Sequence, residues 1–254
     1  MTKILCVVGA RPNFMKIAPI MSALNKCQGM TVKLIHTGQH YDVAMNKQFF
    51  IELNIPQPDL DLEVGSASHA VQTAEIMRRF EPVIDKEQPQ AVLVVGDVNS
   101  TIACALVATK KAIDVIHVEA GLRSFDRSMP EEVNRVLTDQ ISNLLFTTEK
   151  HAEEQLLREG ISKKSIHFVG NVMIDTLVEN LPKATPLEKI LTNYDHREIF
   201  LHGGYAVLTL HRPSNVDNKA VLLPLLQELR AISEKIPLIF PVHPRAKQKI
   251  IQIF

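Results

Sequence analysis

The stretch VVGARPNFMKIAPI, residues 7–20, places a glycine, two cations and an asparagine directly after the first apolar run of the chain. Its β-branched residues and Pro12, which suits a first helical turn, predict a buried strand that passes into a helix. Ligands bind at the carboxyl ends of strands in open α/β sheets. Arg11 and Lys16 are therefore candidates for binding an anion such as phosphate. The alternative is a helix-start proline followed by two solvated cations.

The same alternation of apolar runs and amphipathic stretches continues along the chain. Strands are predicted at residues 3–9, 31–36, 60–64, 91–95, 114–118, 144–147, 166–169, 206–210 and 238–241. Helices are predicted around residues 16–27, 41–53, 69–87, 100–111, 131–142, 149–158, 173–181 and 217–235. Continuous apolar strands separated by helices are typical of a parallel sheet that is covered on both faces.

A closed (β/α)₈ barrel shares this alternation, but a proline-bearing polar stretch at residues 181–204 interrupts the pattern before it restarts. The interruption favours an α/β fold of two Rossmann-like, doubly wound parallel-sheet domains. We predict an N-terminal domain at residues 1–172 and the beginning of a second domain at residues 173–254. Since the last helix is followed by no further strand, the second domain is expected to be truncated.

The composition excludes several kinds of partner. The chain has 28 basic and 28 acidic residues, so nothing favours a nucleic acid or a membrane surface. No apolar run approaches the roughly 18 residues of a membrane span, and the N-terminal run is too short for a signal peptide. Cys6, Cys27 and Cys104 are unclustered, which predicts reduced thiols without disulfides. We therefore expect a cytoplasmic protein.

Neither a metal nor a cofactor is expected. The histidines at positions 69, 151, 167, 196 and 202 show no metal-ligand spacing and are interpreted as surface or packing residues. The first strand is not followed by G-x-G-x-x-G, and the chain contains no G-x-x-x-x-G-K-[ST]. A nicotinamide cofactor and a P-loop are therefore unsupported.

Three carboxylates follow strands or open the helix beyond them. Asp97 ends the strand in VLVVGDVNST (residues 92–101), where it is either a ligand group or part of a capped turn. Glu119 ends the next strand, and Glu131 opens a helix in IHVEAGLRSFDRSMPEEVNR (residues 116–135). Acidic residues are common in a first helical turn, so one of the glutamates at 131 and 132 has an ordinary dipole role. Arg135 lies one turn further and is their possible partner.

Further candidates lie in three other loops. His211 and Arg212 end the strand in LTLHRPSN, and His243 repeats that arrangement in FPVHPR. In HTGQHYD, Gln39 and His40 either contact a ligand or belong to a turn built on a glycine.

Together and in this order, these segments resemble the non-hydrolysing UDP-N-acetylglucosamine 2-epimerases. The resemblance is carried by GARPNFMKIAP, HTGQHYD, GDVNST, HVEAGLRS, MPEEVNR, FVGNVMIDTL, LTLHRPSN and PVHP, of which HVEAGLR followed by PEE-x-NR is the most specific. It implies a GT-B-like fold without a nicotinamide cofactor, a UDP-sugar substrate in an interdomain cleft, a homodimer at full length and a role in making polysaccharide precursors.

The resemblance also implies residue roles. The reaction interconverts UDP-GlcNAc and UDP-ManNAc by eliminating UDP to a glycal and adding it back. The implied catalytic residues are Asp97, Glu119, Glu131 and His211. The implied substrate-binding residues are Arg11, Lys16, Arg135, Arg212, His243, Gln39 and His40.

Three departures from the family pattern bear on these expectations. Ala10 and Asn13 stand where the commonest bacterial form has Thr and Glu, which leaves a related UDP-diacetamido sugar as the alternative substrate. Tyr41 and Asp42 stand where substrate-activated members have basic or amide residues. Family chains continue beyond Phe254 through a UDP-binding loop, so residues 1–254 are expected to bind UDP weakly and to turn over little. A hydrolysing 2-epimerase, which releases the free sugar, is a further alternative.

Overall fold

The computed structural model describes residues 2–38, 50–194 and 198–253. The chain divides into two compact units, Met1–Pro182 and Lys183–Phe254. The helix after residue 171 belongs to the first unit, because it packs on the first helix of the chain. In that contact the hydroxyl of Thr176 donates a hydrogen bond to the carbonyl oxygen of Met15 at 2.6 Å.

The first unit contains a seven-stranded parallel sheet. Its strands are β1 (Thr2–Val8), β2 (Met30–His36), β3 (Leu60–Asp61), β4 (Ala91–Val95), β5 (Asp114–Ala120), β6 (Leu144–Thr147) and β7 (Ile166–Phe168). The spatial order is β3-β2-β1-β4-β5-β6-β7, and all pairs are parallel. The chain therefore reverses its direction of winding between β1 and β4, which is the place where doubly wound sheets bind ligands.

Helices cover both faces of this sheet. They are α1 (Arg11–Leu24), α2 (His69–Glu87), α3 (Asn99–Lys110), α4 (Pro130–Ile141), α5 (Lys150–Arg158) and α6 (Val172–Asn180). One core contains Ile76 and Phe80 of α2, and the other contains Phe14 and Ile17 of α1. All residues of β4 are buried between these two layers, as its unbroken apolar run predicts.

The second unit is smaller. Its elements are α7 (Leu187–Ile190), α8 (Glu198–His202), β8 (Ala206–Val207), α9 (Pro213–Val216), α10 (Lys219–Ser233), β9 (Leu238–Ile239) and α11 (Pro244–Ile251). β8 and β9 pair in parallel, and Leu210, Val216, Leu222 and Ala246 form the core beside them. Both strands are shorter than predicted: their hydrogen-bonded ladder extends over two residue pairs.

Among the residues that the structure describes, no helix combines the length and the apolar character that a membrane crossing requires.

Candidate active site

The carboxyl ends of β1, β4 and β5 bring together side chains that are distant in the sequence. Lys16 lies on the helix after β1, Asp97 follows β4, and Glu119 lies near the end of β5. These three strands are neighbours in the sheet, with β4 in the middle. The parallel topology therefore places candidate groups from three chain segments on one edge, at the switch point.

Lys16 and Glu119 form a salt bridge between Lys16 Nζ and Glu119 Oε2, across 103 positions of sequence. Their side chains are only 9% and 16% exposed. Lysine and glutamate are rarely this buried without a partner, so each holds the other at the sheet edge. If Lys16 binds an anion, as the sequence predicts, it does so with the carboxylate of Glu119 already beside it.

The backbone of Glu119 is strained. Its φ is 73°, a left-handed value that a residue with a Cβ adopts at a cost of about 1–3 kcal/mol. The register explains the conformation: Val118 pairs with Phe146 and Ala120 with Thr147, so residue 119 has no partner in the ladder. Such a bulge re-aims a side chain at the end of a strand. Here it directs the carboxylate of Glu119 towards Lys16.

Asp97 is held by α4. Arg135 Nη2 binds Asp97 Oδ2, and Arg135 Nη1 lies 3.0 Å from Glu132 Oε2. The side-chain amide of Asn134 also donates to the backbone carbonyl of Asp97 at 2.9 Å. Arg135 therefore bridges Asp97 and Glu132 in this structure, whereas the sequence suggested Glu131 and Glu132 as its partners. The guanidinium also keeps a positive charge beside the carboxylate of Asp97.

Glu132 anchors the loop between β5 and α4. This buried carboxylate accepts hydrogen bonds from the backbone N–H groups of Ser124 (2.9 Å) and Phe125 (3.0 Å), and from the Ser124 hydroxyl (3.0 Å). Burial acts to raise the pKa of Glu132, but these donors and the charge of Arg135 outweigh it, so the pKa is lowered. Of the two glutamates that open α4, Glu132 therefore has a structural role beyond the helix dipole.

Replacing Glu132 by Gln is expected to destabilise the fold at neutral pH by about 1–3 kcal/mol, because backbone donors lose their charged acceptor. The lowered pKa means that Glu132 stabilises the fold above the unfolded value of about 4.3, and that this contribution is lost as the pH falls further. The difference between parent and variant should therefore shrink as the pH is lowered towards about 3.

Urea denaturation followed by circular dichroism at several pH values measures this difference. Glu179→Gln removes the same charge from an exposed position on α6 and serves as the matched control. A parent–variant difference that stays constant down to acid pH would contradict the assigned role of Glu132.

Glu131 occupies a different environment. It is half-buried and lines a cavity of about 260 Å³ together with His69, Asn99 and Asn134. Asn99 Nδ2 donates to Gln72 Oε1 at 2.8 Å and lies 3.1 Å from His69 Nδ1. Because Asn134 also contacts the backbone of Asp97, this cavity adjoins the Asp97–Arg135 pair. The structure thus brings Glu131 to the same edge as Asp97.

The candidates of the second unit lie at the carboxyl ends of β8 and β9. The rings of His211 and His243 have centroids 5.9 Å apart, and both residues are exposed, as is Arg212. His243 caps α11, where its Nδ1 accepts the backbone N–H of Arg245 at 3.2 Å. His211 Nδ1 lies 3.3 Å from the Thr209 hydroxyl. The two histidines are thus neighbours, as the repeated strand–His–Arg and strand–His–Pro patterns predict.

Three of the candidates fall wholly or partly outside the described residues. Gln39 and His40 lie outside the described residues, and Arg11 is described as the first residue of α1 by its backbone alone. Within the described ranges, no cluster of three or more His, Cys, Asp or Glu side chains is arranged to hold a metal ion.

Asn13 is a site residue whose role the sequence reasoning missed. Its buried amide accepts the backbone N–H groups of Gly9 and Ala10 at 3.2 and 3.1 Å, and donates to the carbonyl of Val95 at 3.0 Å. The side chain therefore ties the end of β1 to the end of β4. Asn13 is the third residue of α1, a position where helices often carry a capping side chain. This position in the sequence was the signal from which its role could have been predicted.

The chain is similar to known proteins over nearly its whole length. The profile of the family described as UDP-N-acetylglucosamine 2-epimerase matches residues 22–254. A relative named UDP-N-acetylglucosamine 2-epimerase, from Methanocaldococcus jannaschii, is 45% identical over 98% of this chain and 68% of its own length. A relative named UDP-2,3-diacetamido-2,3-dideoxy-D-glucuronate 2-epimerase, from Pseudomonas aeruginosa, is 39% identical over 96% of this chain and 68% of its own length.

A solved structure leads to the same family. The Methanocaldococcus jannaschii UDP-GlcNAc 2-epimerase in complex with UDP-GlcNAc and UDP matches with a TM-score of 0.82 and 44% identity. The match covers 99% of this chain and 68% of that one. The predicted α/β, GT-B-like fold class is thereby confirmed. On the profile match and these identities, the chain belongs to the UDP-N-acetylglucosamine 2-epimerase family.

Proposed function

We propose that this protein is a UDP-N-acetylglucosamine 2-epimerase, which interconverts UDP-GlcNAc and UDP-ManNAc. The observation that carries the proposal is the convergence of the Lys16–Glu119 and Asp97–Arg135 pairs at the switch point of the sheet, in a chain of this family. Each pair sets a carboxylate beside a fixed cation. The proposed reaction requires both kinds of charge close together.

The chemistry explains that requirement. The hydrogen at carbon 2 of the sugar is not acidic, because no carbonyl group is attached to that carbon to stabilise a carbanion, so deprotonation without loss of the leaving group is unfavourable. In the proposed route a carboxylate removes this proton while the electrons of the C2–H bond form the C1=C2 double bond. UDP leaves with the electrons of the C1–O bond. Re-addition of UDP to carbon 1 with protonation of the opposite face of carbon 2 gives the epimer.

The proposed roles follow from charge. Asp97, Glu119 and Glu131 are assigned to proton transfer and to stabilising positive charge that develops at the anomeric centre. Lys16 and Arg135 are assigned to the negative charge that gathers on the departing diphosphate. The same binding role is proposed for Arg11, Gln39, His40, Arg212 and His243, and His211 completes the catalytic set.

The sugar itself has a second candidate. The Pseudomonas aeruginosa relative acts, by its name, on a UDP-linked diacetamido uronic acid, and it is 39% identical to this chain. The corresponding alternative for this protein is a 2-epimerase of such a related UDP-diacetamido sugar. Parallel assays with both UDP-sugars show which one this protein epimerises. The uronic acid carries a carboxylate, so its binding would require an additional cation in the site.

Incubation of the full-length protein with UDP-GlcNAc in heavy water is the direct test of the proposed function. We expect deuterium at carbon 2 of both UDP-GlcNAc and UDP-ManNAc, because the proton that is returned comes from groups that exchange with solvent. Proton NMR of the recovered nucleotide sugars measures it. Release of free sugar would instead indicate the hydrolysing reaction, and a lack of both exchange and release would contradict the proposal.

Assembly as a homodimer, cytoplasmic location and the domain boundary at residue 172 stay predictions. Light scattering coupled to gel filtration tests the first of them. A monomeric mass at micromolar concentration would contradict it.

A further inference from the structure

A buried histidine lies directly beneath the candidate active site. His117 of β5 is 0% exposed, and both ring nitrogens are engaged. Its Nε2 lies 2.8 Å from the carbonyl oxygen of Gly96, and its Nδ1 lies 2.6 Å from Asp139 Oδ1. A carbonyl oxygen only accepts hydrogen bonds, so Nε2 carries a hydrogen.

Asp139 of α4 is equally buried and is surrounded by donors. Its Oδ2 accepts the backbone N–H of Gly121 at 3.0 Å and lies 2.7 Å from Arg123 Nη2. Burial acts to raise the pKa of Asp139, but His117 and Arg123 outweigh it and lower the pKa. The salt bridge with Arg123 and the hydrogen bond from Gly121 favour the ionised form of Asp139, which only accepts, so Nδ1 of His117 carries a hydrogen as well.

We propose that His117, held as an imidazolium by Asp139, is a positioning residue that sets the spacing between the ends of β4 and β5, from which Asp97 and Glu119 project. The catalytic part of this inference rests on the proposed function. The protonation of the ring does not depend on it.

The contacts of Gly96 show how the spacing is set. Its N–H donates to the carbonyl of Val118 at 3.0 Å, and its carbonyl accepts from His117, so β5 holds this peptide from both sides. Gly96 has φ 67°, and a Cβ added there would lie 2.9 Å from Lys16 Nζ and 3.3 Å from Glu119 Oε2. The turn that precedes Asp97 is therefore in contact with the Lys16–Glu119 pair and has little room to shift.

The strained residue lies between two anchors of the same network. Glu119 follows Val118, whose carbonyl binds Gly96, and precedes Gly121, whose N–H binds Asp139. A positive φ at a glutamate persists only where the surroundings over-determine it. These flanking hydrogen bonds supply that constraint.

The surrounding charges balance if the ring is cationic. The turn after β4 contributes the carbonyl of Gly96, α4 contributes Asp139, and the loop after β5 contributes Arg123. Glu159, at the end of α5, binds Arg123 with an Nε–Oε1 distance of 2.9 Å. The side chains of His117 and Asp139 are 0% exposed, so a cationic ring keeps the carboxylate of Asp139 paired at both oxygens, while the partly exposed Glu159 shares Arg123.

Nitrogen-15 NMR of the histidine rings at neutral pH tests the protonation on the chain as it is, without an activity assay. We expect both ring nitrogens of His117 to carry a directly bonded proton. Asp139→Asn should give the neutral ring protonated at Nε2, because the new amide donates to Nδ1 while its oxygen accepts from Gly121. A neutral ring in the parent, or a doubly protonated one in Asp139→Asn, would overturn the inference.

Kinetics test the positioning role. We expect His117→Ala to lower kcat about 10²-fold, since a displacement on the order of 1 Å has that effect, with KM nearly unchanged. Asp139→Asn keeps every hydrogen bond and should retain kcat within a few-fold. His167→Ala, at an exposed position on β7, is the matched control.

Four outcomes separate the possibilities. Parent-like kcat in folded His117→Ala, or a collapse of kcat in Asp139→Asn with the neutral ring in place, would overturn the positioning role. If His117→Ala does not fold, a collapse of kcat in Asp139→Asn with the neutral ring in place still overturns the positioning role. A parent enzyme without UDP-sugar epimerisation would count against the proposed function and leave the NMR result unaffected.

Discussion

Replacing Asp97 by Asn is expected to lower kcat for epimerisation of UDP-GlcNAc about 10²- to 10⁴-fold, the range for loss of a group in proton transfer. The amide keeps the size of the side chain and removes the charge that faces Arg135. Stability should change by no more than about 1 kcal/mol, because the carboxylate is partly exposed and Arg135 retains Glu132 as a partner. Deuterium incorporation at carbon 2 should fall in parallel with turnover.

Asp114→Asn is the matched control for this prediction. Asp114 is exposed at the start of β5, whereas Asp97 lies at the carboxyl edge of the sheet, so the same charge is removed away from the candidate site. Epimerisation by Asp97→Asn at the rate of the parent would exclude Asp97 from the catalytic set.

The fold follows closely from local signals. β4 has the predicted bounds, Ala91–Val95, because an apolar run of this length has few alternatives to a buried strand. α2 has the predicted bounds, His69–Glu87, since Ser68 caps its start and Gln88 ends it in a left-handed conformation. β8 and β9 extend less far than their apolar runs, because strand length also depends on hydrogen-bonded neighbours, which a single run does not specify.

The candidate site was only partly predictable. Carboxylates after β4 and β5 indicate a site because parallel strands deliver their ends to one edge. The pairing of Lys16 with Glu119 depends on a bulge in β5, and the pairing of Arg135 with Asp97 depends on how α4 packs. Asp139 lies within an ordinary amphipathic helix, and its partner His117 resembles any strand residue. Such contacts depend on tertiary packing, which the local patterns do not specify.

Breaking the Lys16–Glu119 pair from either side is expected to destabilise the fold by about 3 kcal/mol, because the remaining charge is largely buried and unpaired. Lys16→Met leaves the carboxylate, and Glu119→Gln leaves the ammonium group. The double variant leaves neither charge, so its loss of stability should be smaller than the sum of the two single losses by about 1–3 kcal/mol. Urea denaturation of the parent and the three variants gives this coupling energy.

Activity should not follow this coupling in stability. The double variant lacks both a carboxylate for proton transfer and a cation for the departing diphosphate, so epimerisation stays lost although the two stability losses are less than additive. The pair Lys111–Asp85, whose side chains are more exposed, provides the control cycle, with Lys111→Met and Asp85→Asn, where solvent screens the charges and little coupling is expected. Additive losses at Lys16 and Glu119 would show that the two charges do not depend on each other. An active double variant would show instead that this pair serves the fold and takes no part in the chemistry.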